Sequence, residues 1–138
     1  MPQTIIAFDF GINRIGIAVG QTATFSAQEL SVLKAKDGIP QWEEIQLLIS
    51  EWKPNTLVVG LPLNMDGSDN EITVRARKFA NRLKERFKIG VDLMDERLST
   101  VEAKNELFEN GVKLNRNTKP VDSIAARLIL ESWFETKK

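Results

Sequence analysis

The chain has 138 residues, enough for one domain (1–138) with a single sizeable core and too few for two substantial lobes. Its 19 basic residues balance 19 acidic ones, so a nucleic-acid partner must be met by a local basic patch rather than by the field of the whole molecule. The chain contains neither Cys nor His, which excludes disulfides, thiolate or imidazole metal sites, cysteine nucleophiles and Ser-His-Asp triads; acid–base chemistry falls to carboxylates, Lys or water activated by a metal.

No apolar run reaches the length of a membrane span, and the opening MPQTIIAF carries no basic stretch ahead of an apolar core, which predicts a cytoplasmic protein with no membrane partner. Thr4 to Phe10 and Arg14 to Gly20 are β-rich runs, and Phe25 to Lys36 supplies a third strand before the turn signal Asp37, Gly38 and Pro40. Three strands joined by short connections predict an antiparallel meander. From Gln41 to Trp52, apolar residues at 42, 45, 48, 49 and 52 follow helical spacing until Pro54 stops the pattern. The run TLVVGL, Thr56 to Leu61, has the continuous apolar character of a strand buried on both faces.

Ile72, Ala76, Phe79, Ala80, Leu83 and Phe87 mark one face of a long helix, with Arg75, Lys78 and Arg82 together on another. Val91 to Glu96 reads as a short strand. Ser99 and Glu102 form a capping-box pair opening a helix that stops at Asn110 and Gly111; Gly111 to Lys119 is a basic loop, and Val121 to Phe134 is helical again. A meander followed by βαβ units predicts an α/β protein with a mixed sheet flanked by helices.

Acids at three places stand out against this framework. Asp9 ends the first apolar run, where a strand seldom places a charge unless it is paired or used, and Gly11 lets the chain turn back so that Asp9 sits on an inner strand. Asp95 and Glu96 close a core strand at its carboxyl end, where open α/β sheets form their sites. Alternation allows only one of the two to point with the site. Asp122 lies in the first turn of the last helix, a position that also suits the helix dipole. An oxygen-only donor set fits Mg²⁺ or Mn²⁺, and two such ions about 4 Å apart activate a water and stabilise the leaving oxygen of a phosphodiester.

The segments AFDFGINRIGIAVG, VVGLPLNMDGS, DERLST and VDSIAARLILE, in this order and spacing, closely resemble the YqgF family, also called RuvX, over nearly the whole chain. The resemblance implies a ribonuclease H-like fold similar to that of the RuvC junction resolvases, and an activity described for the family either as maturation of the 5′ end of pre-16S ribosomal RNA or as Holliday junction resolution. It also implies that Asp9, Glu96 and Asp122 are the metal-binding catalytic acids, with Asp95 as a supporting neighbour. This chain departs from the pattern in two places. Ile12 and Asn13 follow Gly11 where many members carry Thr or a basic residue, and Ala125 stands three residues beyond Asp122, where junction resolvases present a fourth acid.

In the segment GLPLNMDGSDN, Asn64 and Ser68 are candidate hydrogen-bond donors to a scissile phosphate; the plainer reading is a turn around Asp66 and Gly67. Arg14, Arg97 and the helix face with Arg75, Lys78 and Arg82 are candidate phosphate contacts, as are Lys113, Arg116 and Lys119 in the late loop, each weighed against an ordinary solvated charge. Trp42, Trp52 and Trp133 have core spacing and are read as packing residues. The expected protein is a Mg²⁺- or Mn²⁺-dependent nuclease of structured nucleic acid that uses water as nucleophile. A junction resolvase would favour a homodimer, which sets two sites across two strands. A binding protein for ribosome assembly with vestigial acids is the alternative outside enzymology. A nucleotide-handling enzyme of the actin and sugar-kinase type would need a second lobe, for which this length leaves no room.

Overall fold

The structure, a computed structural model, describes residues 2–96 and 121–137. In chain order its elements are β1 (Thr4–Asp9), β2 (Arg14–Gln21), β3 (Ser26–Lys36), β4 (Ile39–Pro40), α1 (Trp42–Trp52), β5 (Thr56–Leu61), α2 (Glu71–Phe87), β6 (Gly90–Asp95) and α3 (Val121–Glu135). The six strands form one sheet in the order β4-β3-β2-β1-β5-β6. The meander is antiparallel, while β1 with β5 and β5 with β6 pair in parallel. The mixed sheet therefore has the expected architecture. β1 is interior, flanked by β2 and β5.

Most predicted boundaries fall within a residue of the observed ones. The third strand begins at Ser26 because Phe25 takes a left-handed conformation (φ 50°). Pro40, read as part of a turn signal, instead pairs with Ala35 in the two-residue edge strand β4, where a missing N–H is tolerated. The last parallel strand ends at Asp95, so Glu96 lies one residue past it. The predicted helix from Ser99 to Asn110 and the basic loop after it lie outside the described residues.

Alternation along the strands divides the core in two. Ile6, Phe8, Ile15, Ile17, Val19, Leu57, Val59 and Leu61 face α1 and α2, packing on Ile45, Ala76, Phe79, Ala80 and Leu83. Ile5, Ala7, Ala18, Val58 and Met94 face α3, against Ala126, Ile129, Leu130, Trp133 and Phe134. Each fully buried large side chain contributes about 1.5–3 kcal/mol of hydrophobic stabilisation. All three tryptophans pack, as their spacing predicts: Trp42 stacks on Phe79 with ring centroids 5.9 Å apart, Trp52 borders the first cluster, and the Trp133 indole N–H donates to Asp92 Oδ2 at 2.9 Å. That last bond ties α3 to β6, and the ion pair of Arg127 Nε with Glu29 Oε1 (3.1 Å) ties it to β3. Among the described residues no helix is long and apolar enough to cross a membrane.

Candidate carboxylate site

Asp9 is the last residue of β1 and pairs with Gly16 of β2. It shares the parity of Ile5 and Ala7, which belong to the core beneath α3, whereas Phe10 packs on Phe79 of α2 at a centroid distance of 5.3 Å. The reversal after Asp9 uses Gly11 for space rather than for a positive φ: a Cβ there would stand 2.5 Å from the Arg14 carbonyl oxygen. On β6, Asp92 and Met94 contact α3. Continuing that alternation puts Glu96 on the α3 face and Asp95 on the opposite one.

Two strands carrying carboxylates are thus aligned at their carboxyl ends, with β5 between them. The residue of β5 at this level is Gly60, next to Val59, which pairs with Phe8, and itself paired with Met94. Its face is that of Val58, toward α3. A Cβ built on Gly60 would lie 3.2 Å from both Cγ and Cδ of Glu96 and 2.5 Å from Cδ1 of Ile129. The absent side chain is the space in which Glu96 crosses the middle strand, and the Glu96 carboxyl is hydrogen-bonded to Asp9. Sequence reasoning took Gly60 only as part of a buried strand. A glycine inside such a run is itself a signal of close approach.

Burial pushes the Glu96 carboxyl above its ordinary pKa and the negative charge of Asp95 adds to this, while the hydrogen bond with Asp9 draws it down. Paired carboxyls in a partly dry site either share a proton or hold a cation between them. Asp122 is the second residue of α3, on the helix that covers this face of the sheet. Among the described residues no group of three acids gathers as a metal site; two of the three expected ligands, Asp9 and Glu96, are brought together.

The segment after β5 is held by its own hydrogen bonds. Asn64 Nδ2 donates to Ser68 Oγ at 3.0 Å, Ser68 Oγ donates to Asp66 Oδ1 at 2.6 Å, and the Gly67 amide donates to the Asn64 carbonyl at 2.9 Å. The polar groups of Asn64 and Ser68 thus build the turn around Asp66 and Gly67. Asn70 fastens this turn to α2: its side chain accepts from the Thr73 amide (3.0 Å) as a helix cap and donates to the Pro62 carbonyl and Asn64 Oδ1, both at 3.0 Å. Among the candidate cations, Arg14 is exposed at the start of β2, and Arg75 pairs with Asp37 at 2.9 Å. Arg97, Lys113, Arg116 and Lys119 lie outside the described residues.

Comparison with known proteins gives consistent matches. A family model described as "RuvX: Holliday junction resolvase" matches residues 3–136. A protein of Glaesserella parasuis serovar 5 named "Putative pre-16S rRNA nuclease" is 58% identical over 135 residues, covering 98% of each chain. One of the same name from Saccharophagus degradans is 57% identical over 132 residues, covering 96% of this chain and 93% of the relative. Among solved structures, Thermus thermophilus RuvC in complex with a Holliday junction substrate superposes with a TM-score of 0.63 at 16% identity, covering 98% of this chain and 95% of that one. The Fowlpox virus resolvase in complex with substrate junction DNA gives 0.60 at 11% identity, with 97% and 98% covered. At these identities the structural matches speak for the fold, which is ribonuclease H-like.

Proposed function

The chain belongs to the RuvX family, and from that membership and its carboxylate site we propose that it is a metal-dependent nuclease hydrolysing phosphodiester bonds of structured nucleic acid, acting in the cytoplasm on the 5′ end of pre-16S ribosomal RNA. The observation that carries this reading is the meeting of the Asp9 and Glu96 carboxyls over Gly60. A pair of acids forced together on a face with no His or Cys is a hard-oxygen donor set, which fits Mg²⁺ or Mn²⁺. Asp9 and Glu96 would hold the ion, with Asp122 as the third ligand. A divalent cation bound there supplies Lewis-acid polarisation of the phosphate and acidifies the attacking water.

The residues of the chain set the rest of the chemistry. Asp9 is fixed on an interior strand, and the Glu96 side chain lies against Gly60, as does Ile129, so the ligand geometry costs little reorganisation when substrate arrives. Asp95, pointing to the other face, keeps a negative charge close enough to act on Glu96. Arg14, Arg75, Arg97, Lys113, Arg116 and Lys119 would position backbone phosphates, and the turn bearing Asn64 and Ser68 would border the substrate from the end of β5. Water is the nucleophile, and no covalent intermediate with the protein forms.

The RNA substrate follows the names of the relatives that cover nearly the whole chain. A second reading, Holliday junction resolution, is favoured by the description of the family itself, and it calls for a homodimer with two sites. The deciding experiment gives one preparation both a precursor 16S RNA and a four-way DNA junction, with chelator and acid-variant controls and the oligomeric state measured alongside. Mg²⁺-dependent trimming of the RNA with an inert junction is the expected result. Symmetric junction nicking by a dimer that leaves the RNA intact would establish the second reading, and RNA binding with no cleavage of either substrate would make the protein an assembly factor.

A further inference from the structure

A chain with no net charge concentrates cations on one helix. In α2, Arg75, Arg77, Lys78, Arg82, Lys84 and Arg86 stand against only Glu71 and Glu85. Arg75, Lys78, Arg82 and Arg86 recur every three or four residues and so form one stripe, about 16 Å long at 1.5 Å per residue. Two adjoining hollows follow that stripe. The first, about 220 Å³, is lined by Phe10, Gly38, Ile39, Arg75, Lys78 and Arg82 among others; the second, about 470 Å³, shares Ile39 and Arg82 and adds Trp42 and Arg86.

The cations of the stripe are not equivalent. Arg75 is engaged with Asp37 at 2.9 Å, and the Arg86 guanidinium rests 4.3 Å from the centroid of the Trp42 ring. Lys78 and Arg82 are exposed and make no ion pair among the described residues. The wall opposite them is fixed by backbone. Gly38 has a φ of 79°, its amide donates to the Ile12 carbonyl at 2.8 Å, and the Ala35 amide donates to the Asn13 carbonyl at 2.9 Å. These bonds clamp the segment that follows Asp9 onto the turn between β3 and β4. Phe10, which lines the hollow, is the residue next to Asp9, so the hollow sits against the same strand end as the carboxylate, on the other face of the sheet.

We propose that these hollows form a groove for the phosphate backbone of the substrate strand, with Lys78 and Arg82 each meeting a phosphate and Arg75, held by Asp37, forming the rim nearest the carboxylates. The ligand's identity rests on the nuclease reading; the groove itself rests on the charge stripe and the clamped wall. A strand lying along α2 passes the end of β1 to reach Asp9 and Glu96, so the groove sets the position of the chain relative to the site without reading its sequence.

The test uses the full chain carrying Asp9→Asn, which removes cleavage from the measurement, and a fluorescent single-stranded oligouridylate as probe. Affinity is measured between 50 and 200 mM salt. Adding Lys78→Gln and Arg82→Gln should lower the slope of log affinity against log salt by about 1.4, at about 0.7 per phosphate contact on a single strand. The charge-matched control, Lys84→Gln with Lys88→Gln, should leave the slope unchanged, and equal melting temperatures would show that both proteins fold. An unchanged slope for Lys78/Arg82, or an equal drop in the control, overturns the groove. So does inorganic phosphate binding tightly at Lys78 and Arg82 by NMR while the oligonucleotide slope stays unaltered, which would mark a site for a free anion. Cleavage by the protein with Asp9 intact is scored separately. Cleavage with an unchanged slope removes the groove alone, whereas a reduced slope with no cleavage keeps the groove and removes the nuclease reading.

Discussion

Asp9 and Glu96 are hydrogen-bonded to each other although β1 and β6 are not neighbours in the sheet, because the strand between them presents Gly60 where the side chains cross. Two carboxyls so placed repel when both ionise, and they attract a cation for the same reason. The behaviour of the protein toward protons, metal and substitution should follow from that one contact.

Asp9→Asn, Glu96→Gln and Asp122→Asn should each abolish most single-turnover cleavage without unfolding the chain, since each keeps side-chain size and removes charge. Asp95→Asn should be milder, because Asp95 points away from the α3 face. Cleavage and melting temperature measured for all four, with and without Mg²⁺, check this. Loss of activity in Asp95→Asn with near-normal activity in Glu96→Gln would reverse the assignment within the pair.

The pH dependence of stability carries a definite sign. Burial, reinforced by the charge of Asp95, raises the folded-state pKa of Glu96 above the ordinary 4.5, so the folded chain binds more protons than the unfolded one in this window and stability falls as pH rises. The contribution of protonated Glu96 is complete below about pH 4.5 and is lost as pH climbs through the raised value. In metal-free buffer the melting temperature of the wild type should therefore drop relative to Glu96→Gln across that interval. Mg²⁺ or Mn²⁺ should restore it at neutral pH by binding the ionised pair. Thermal scans of both proteins over pH decide the matter, and parallel curves would rule the effect out.

Gly60→Ala should impair the site and the packing separately. The new Cβ meets Ile129 Cδ1 at 2.5 Å and the Glu96 carboxyl carbon at 3.2 Å. Overpacking should cost about 1–3 kcal/mol, and displacement of Glu96 should slow cleavage roughly 100-fold. Combining it with Ile129→Val, which removes the clashing methyl, should recover melting temperature and leave cleavage slow. Joint recovery of both would mean that Gly60 serves only the packing of α3.

Asn70→Ala should destabilise the protein by about 1 kcal/mol, the usual cost of a lost helix cap, and should release the turn at Asn64. Thr73→Val attacks the same anchor, because the buried Thr73 hydroxyl donates to the Pro62 carbonyl at 2.7 Å. The two changes share a partner, so denaturant titration of the double variant should show a loss smaller than the sum of the singles. Strict additivity would separate the cap from the turn.

What the amino-acid order determined by itself was local. The apolar runs and their turn residues set the strands of the meander, the 3.6-residue period marked α1, α2 and α3, and period-two alternation placed Asp95 and Glu96 on opposite faces before any fold was known. The missing His and Cys left an oxygen donor set, and the motifs pointed to the family. The tertiary structure decided what lies between strands. Register paired Gly60 with Met94 and set it one residue past the Val59–Phe8 pair, at the end of β1 that carries Asp9, and no local pattern encodes the pairing of distant strands. The burial that shifts Glu96 came from the packing of α3, and the hollow along α2 from a β3–β4 turn clamped onto the segment after Asp9. Each of these is a contact between segments far apart in the chain, whose free energy depends on the assembled core rather than on the propensity of either segment.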